Sequence, residues 1–226
     1  MGALLMTLSL ASAAQPAYEP TERYTVQQLE GFTVYVHQSL LNEQAEVGAQ
    51  VLELLRVKLY DITRTVPEPA LAELRQVPLW MEFEHEPVPG GCYHPSREWL
   101  VENDFNPDKA RSIEFGNARN LLGWSLDQPS MVLHELAHAY HHRVIGYDNA
   151  EIKAAYQHAV ASGTYESVLY CHGEMQQAYA LNNDQEYFAE LSEALFGVND
   201  FYPFIRAEVQ QHDPTGFEML KRVWGL

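Results

Sequence analysis

The segment MVLHELAHAYHH, Met131 to His142, sets four histidines and a glutamate in an otherwise apolar run. Asp127 stands near its start, Pro129 in its first turn and Gly146 at its end, so the stretch reads as a helix with ordinary start and stop signals. Val132, Leu136, Tyr140 and Val144 recur every four residues and give that helix a buried side. It is therefore a core helix. His134 and His138 are also four apart, which places them one turn from each other on one face, about 6 Å along the axis. Burying two imidazoles and a carboxylate without a metal or polar partners is costly, so the fold must supply one or the other. The HExxH spacing lets both imidazoles reach one zinc ion while Glu135, one residue round the helix, reaches a water on that ion. His141 and His142 follow near the helix end, where an imidazole interacts favourably with the helix dipole, and they are read as that rather than as ligands.

A zinc site needs a third protein ligand. The metzincin extension would place Gly at position 141 and His at position 144; the chain has His141 and Val144, which excludes that class. Downstream, NNDQEYFAELSEALFG is the best source of a ligand from a second helix. Tyr187, Phe188, Leu191 and Leu195 form its apolar face, and Glu186, Glu190 and Glu193 lie three or four residues apart. Three carboxylates so spaced on a buried helix repel each other unless a cation or donors are near. Glu186 also has a simpler reading, since Asn183 three residues earlier makes a capping-box arrangement with it.

The remaining chain is organised simply. Its 226 residues suit one domain, without repeats or linkers. YTVQQLEGFTVYVHQ alternates around Glu30-Gly31 as a hairpin would, and NEQAEVGAQVLELLRVKLYDI is a long amphipathic helix burying Val47, Val51, Leu54, Leu55 and Leu59. PLWMEFEHEPVPGG and RSIEFGN read as short strands, and the chain from Gln128 onward as mostly helical. A small sheet in the first half and helices in the second make an α+β domain. PLWMEFEHE fits either an edge strand or a core strand, with Trp80 and Phe83 favouring core; His94 in GCYHPS reads as a surface histidine.

Composition narrows the partners. With 31 Asp+Glu against 14 Lys+Arg the formal charge is -17, which repels phosphate backbones and argues against nucleic acid. The N-terminus MGALLMTLSLASAAQPAYEP carries an apolar run and then Ala11-Ser12-Ala13, a small-x-small cleavage pattern, so residues 1–14 read as an export signal and 15–226 as the mature domain, although no Lys or Arg precedes the run. That run is too short to span a bilayer, and no later one is long enough. The expectation is a secreted or periplasmic monomer without a membrane anchor. In an exported chain the two cysteines, Cys92 and Cys171, are expected to pair as a disulfide.

HExxH followed downstream by EYFAE resembles the gluzincin group that contains anthrax toxin lethal factor and the Pro-Pro endopeptidases. The likeness covers about Met131 to Gly197, and CYHPSREWL and ELSEALFGVNDFYPF resemble a family of bacterial secreted metallopeptidases with no known substrate. The resemblance implies a zincin-like metallopeptidase domain with one zinc per chain, held by His134, His138 and Glu186. It implies Glu135 as the catalytic base, Glu190 as a carboxylate supporting the ligands, and Tyr179, seven residues before Glu186, as an oxyanion donor. The activity implied is hydrolysis of peptide bonds in a peptide or protein substrate by a zinc-activated water, with Glu135 shuttling the proton. Two alternatives stay open: a zinc-binding protein without turnover, and a zinc hydrolase of a non-peptide amide. An intact Glu135 argues against the first.

Overall fold

A computed structural model describes residues 18–226; the expected export signal, residues 1–14, lies outside the described residues. The chain begins with the hairpin β1 (Tyr24–Leu29) and β2 (Phe32–His37), whose turn places Glu30 at φ 50° and Gly31 at φ 87°. Two positive φ angles in a two-residue turn match the right-handed twist of the strands, and glycine makes the second inexpensive. Helices α1 (Ala45–Thr65) and α2 (Glu68–Leu74) follow, then β3 (Leu79–Met81), β4 (Gly91–Tyr93), α3 (Arg97–Glu102), β5 (Ile113–Phe115) and α4 (Ala118–Trp124). The second half carries α5 (Met131–Tyr140), α6 (Ala150–Ser162), a small hairpin β6 (Val168–Leu169) and β7 (Met175–Gln176), and then α7 (Asp184–Phe196), α8 (Arg206–His212) and α9 (Pro214–Trp224). The α+β class read from the sequence is what the chain adopts.

Five strands form one sheet in the order β1-β2-β3-β5-β4. β2, β3 and β5 run parallel; β1 and β4 are the antiparallel edges. Leu79 and Met81 thus lie in a central strand, which settles the two readings of PLWMEFEHE in favour of core. The edge beyond β5 is Gly91–Tyr93 instead, a segment without alternation and too short to be seen in the sequence.

The two faces of the sheet differ. Val34, Val36, Leu79, Met81, Ile113 and Phe115 are fully buried toward the helices. There they meet Val51, Leu55, Leu59 and Ile62, the inward stripe of α1, and Leu136 and Ala139 of α5. Val47 and Leu54, expected in that stripe, pack at its margin. Gly48 lets the stripe close in, since a Cβ there would stand 1.8 Å from the Leu40 carbonyl oxygen. The opposite face carries buried Trp80, stacked on Tyr35 with ring centres 4.2 Å apart, and beside it a polar cluster. Buried Glu114 of β5 accepts from Lys109 Nζ at 2.7 Å and lies 2.6 Å from His85 Nδ1 and 2.8 Å from His94 Nε2, while Lys109 also donates to Glu82 at 2.6 Å. His94 is therefore a buried partner of Glu114 and not a surface residue. Such buried charges persist only when fully paired, and here the pairs tie the α3 segment over the sheet.

α5 keeps the expected stripe only in part. Val132, Leu136 and Tyr140 are buried, but Val144 is 45% exposed. A single π turn over His141–Ile145 adds a residue to the last turn, so the inward position passes to His141, which is 0% exposed. Gly146, at φ 86°, then ends the helix as anticipated. At the C-terminus Trp224 stacks on Tyr140 with ring centres 4.3 Å apart and donates to Ser192 Oγ at 3.0 Å, locking α9 onto both α5 and α7. No helix among the described residues is long and apolar enough to cross a membrane.

Cys92 and Cys171 are both unpaired, so the expected disulfide is absent. The sheet geometry explains this. Gly91 and Tyr93 pair with Phe115 and Ile113 and share their helix-facing side, whereas Cys92 pairs with Glu114 and turns to the opposite one. There burial pushes its thiol up to about 12. Cys171 sits in the β6–β7 turn, exposed beside His172 and Asp127.

Candidate metal centre

The site is built by two antiparallel helices. Ser130 at the start of α5 meets Val198 just past the end of α7: its hydroxyl donates to the Val198 carbonyl at 2.8 Å and accepts from the Val198 N–H at 3.1 Å. One turn into α5, His134 faces Glu193 and Glu190; one turn further, His138 faces Glu186 near the start of α7. Each step along one helix is thus matched by a reverse step along the other. Gly197 permits the closure, because a Cβ there would come within 2.6 Å of Ser130 Oγ.

Asn183 caps α7 by accepting from the N–H groups of Gln185 and Glu186 at 2.9 Å each. The reciprocal half of a capping box would send the Glu186 carboxylate back to Asn183. Instead Glu186 Oε2 lies 3.1 Å from His134 Nε2 and 3.2 Å from His138 Nε2, and the two Nε2 atoms are 3.0 Å apart. The three expected ligands therefore present one donor atom each to a common centre. In a tetrahedral zinc site with ligand bonds near 2.0–2.1 Å, neighbouring donors stand about 3.3 Å apart. The near-equilateral triangle fits that spacing, and two imidazoles with one carboxylate are a donor set that can hold zinc.

The electrostatics favour a positive charge at this centre. Burial alone would push the His134 imidazole down, but its hydrogen bonds to Glu186 and Glu193 outweigh that and hold it well above its ordinary value. Burial would likewise raise Glu186, yet its hydrogen bonds to His134 and His138 draw it far below the usual carboxylate range. A proton or a metal cation answers the same field.

Behind this triangle the supporting position that the resemblance gave to Glu190 is taken by Glu193. Glu193 Oε1 lies 2.7 Å from His134 Nδ1, whereas Glu190 Oε1 is 3.7 Å away and Glu190 Oε2 accepts from Asn199 Nδ2 at 3.2 Å. Glu193 is thus the direct partner of the His134 imidazole, and Glu190 stands one step further back. Burial raises both carboxyls, and at Glu190 the Glu193 charge adds to the rise. A carboxylate on Nδ1–H fixes the tautomer that leaves Nε2 free to ligate.

No protein-family model, curated protein or solved structure matches this chain.

Glu135, the neighbour of His134 on α5, lines two cavities that both also touch His134. The larger, about 490 Å³, also touches Gly91, Met131, Tyr170, Gln176, Asp200 and Phe201. The smaller, about 290 Å³, is walled by Tyr93, Pro95, Tyr147 and Gln185. Gly91, on the edge strand, belongs to both. An added Cβ there would stand 2.8 Å from Glu135 Cγ, so the absence of a side chain is what leaves Glu135 its place. Tyr179 also borders both cavities, 46% exposed, with its ring centre 6.4 Å from that of His134. Burial and the Glu186 charge raise its phenol, which keeps it a proton donor at neutral pH. Tyr147, another phenol on the smaller cavity, packs edge-on against His141 and had no signal in the sequence beyond being one of 13 tyrosines.

Proposed function

We propose that this chain is a zinc-dependent endopeptidase of the gluzincin type with a zincin-like catalytic domain, exported to the periplasm or the medium. The observation that carries the reading is the convergence of His134 Nε2, His138 Nε2 and Glu186 Oε2 within 3.0 to 3.2 Å of one another, with the Glu135 carboxylate beside them on the wall of a two-part cleft.

His134, His138 and Glu186 would hold the ion. Zinc bound there supplies Lewis acidity, which polarises a carbonyl and makes a water acidic near neutral pH. Everything else falls to the chain's own groups. Glu135 takes the proton of the attacking water and returns it to the departing amine. The Tyr179 hydroxyl, on the rim, donates to the oxygen that gains charge as the carbonyl becomes tetrahedral. The free backbone groups of edge strand β4 run past Glu135 and can pair with an extended peptide, aligning its scissile bond with the cleft. Glu193 keeps His134 from turning and so holds the ligand set in place while charge moves.

Digestion of a peptide library, with cleavage positions read by mass spectrometry, tests the reading. Cleavage that stops on chelation and returns with zinc is the expected result. A chain that binds zinc yet leaves every peptide intact contradicts it.

A further inference from the structure

A second set of unlike metal-binding side chains converges away from the hydrolytic site. The donor atoms of Asp127, Cys171 and His172 all lie within 4.8 Å of one another, and His172 Nε2 is 3.0 Å from Asp127 Oδ1. They come from two segments that are distant in sequence. Cys171 and His172 occupy the tight turn of the β6–β7 hairpin, closed by the Gly173 N–H donating to the Tyr170 carbonyl at 2.8 Å with Gly173 at φ 97°. Asp127 lies in the loop between α4 and α5. The Cys171 N–H donates to the Asp200 carbonyl at 2.8 Å, so the backbone of the turn is pinned while the three side chains stand in solvent. Their chain neighbours Tyr170 and Gln128 line the larger cavity beside Glu135, which puts the cluster at that cavity's rim.

Thiol, imidazole and carboxylate are the three side-chain ligand types of zinc, and a thiol discriminates against magnesium and calcium. Neither Cys171 nor His172 has a part in the hydrolytic machinery, and Cys171 has no disulfide partner. The His172–Asp127 pair already holds one imidazole nitrogen and one carboxylate oxygen 3.0 Å apart, close enough for a single ion to replace the proton between them.

We infer that Asp127, Cys171 and His172 form a second, weaker site for a zinc-class divalent cation, which when filled ties the β6–β7 hairpin to the loop leading into α5 at the mouth of the cleft. As the metal–sulfur bond forms, the Cys171 S–H proton passes to solvent, and the proton that His172 Nε2 donates to Asp127 leaves that nitrogen as well, so ion entry is coupled to proton release. The site is weaker than the His134 site because its ligands are exposed and lose side-chain freedom on binding. It stands independently of the hydrolytic reading, since it uses none of the same residues.

Cobalt titration of the full chain tests it. A second equivalent of cobalt is expected to bind after the first and to bring a thiolate-to-cobalt charge-transfer band in the near ultraviolet. Cys171→Ser should abolish both band and second equivalent, His172→Ala should weaken them, and Cys92→Ser should leave them intact. The double variant His134→Ala/His138→Ala should lose the other equivalent and keep the band. Because only a free thiolate alkylates, saturation with zinc should slow alkylation of Cys171 by about tenfold or more. A wild-type chain without the band, a band that survives in Cys171→Ser or vanishes in Cys92→Ser, or alkylation of Cys171 that is indifferent to zinc would overturn the inference.

Discussion

His134 Nδ1 and Glu193 Oε1 are 2.7 Å apart, so the imidazole that opens the HExxH motif is gripped from behind by a buried carboxylate two turns along the partner helix. Removing that grip should loosen the ion without deleting a ligand. Glu193→Ala is expected to cost about 10- to 100-fold in zinc affinity or activity. Glu190→Ala, whose carboxylate is bound by Asn199 and is 3.7 Å from Nδ1, should cost less. Zinc affinities of the two variants, measured by competition with a chelator, decide between them; a larger loss in Glu190→Ala would reverse the order.

The ligand and the oxyanion donor should separate cleanly in kinetics. Glu186→Ala removes one of three donors and should lower zinc affinity severely. Tyr179→Phe should retain the metal and lose mainly kcat, because its hydroxyl is needed only as charge develops on the carbonyl oxygen. Zinc loss from Tyr179→Phe would make that tyrosine structural, and zinc kept by Glu186→Ala would move the third ligand elsewhere.

Gly91 makes a steric prediction. In Gly91→Ala the new Cβ meets Glu135 Cγ at 2.8 Å and Oε1 at 3.0 Å, so the carboxylate must shift. Turnover should fall while zinc content and thermal stability change little. Unchanged kcat would mean that Glu135 has more room than the packing of β4 allows.

Much of this site was legible before any coordinates. HExxH specifies its own geometry because four residues make one turn, and the apolar residues around it require a core helix. Glu186 could be selected only through resemblance, since Asn183 offered it a capping role. Glu193 carries a physical signal of its own: a seven-residue step returns to within about 20° on a helix, so Glu193 lies almost directly above Glu186, two turns on. Other features had no local signal at all. Three-residue strands such as Gly91–Tyr93 carry no period, and their place at the sheet edge is a tertiary fact. The π turn that buries His141 and exposes Val144 likewise breaks the very regularity from which a stripe is read.

His141 ties stability to pH. It is fully buried and neither ring nitrogen has a hydrogen-bond partner. Burial first, then the nearby His138, His142 and Lys153, push it down to about 4 from an ordinary value of 6.5. The folded chain keeps it neutral while the unfolded chain takes up a proton, so its contribution is complete above pH 6.5 and is lost as pH falls toward 4. The loss over that window is about 3 kcal/mol. His141→Leu should flatten the acid limb of the stability curve relative to wild type in denaturant titrations at pH 7 and pH 4.5; parallel curves would place the titrating group elsewhere.

The most direct test of the central claim replaces Glu135 by glutamine and measures zinc content and peptide hydrolysis on the same sample. Glu135→Gln leaves His134, His138 and Glu186 in place, so zinc should remain equimolar with the chain at the hydrolytic site. Proton transfer should fail, lowering turnover by about a hundred- to ten-thousand-fold. Zinc retained with turnover near the wild-type rate would contradict the account.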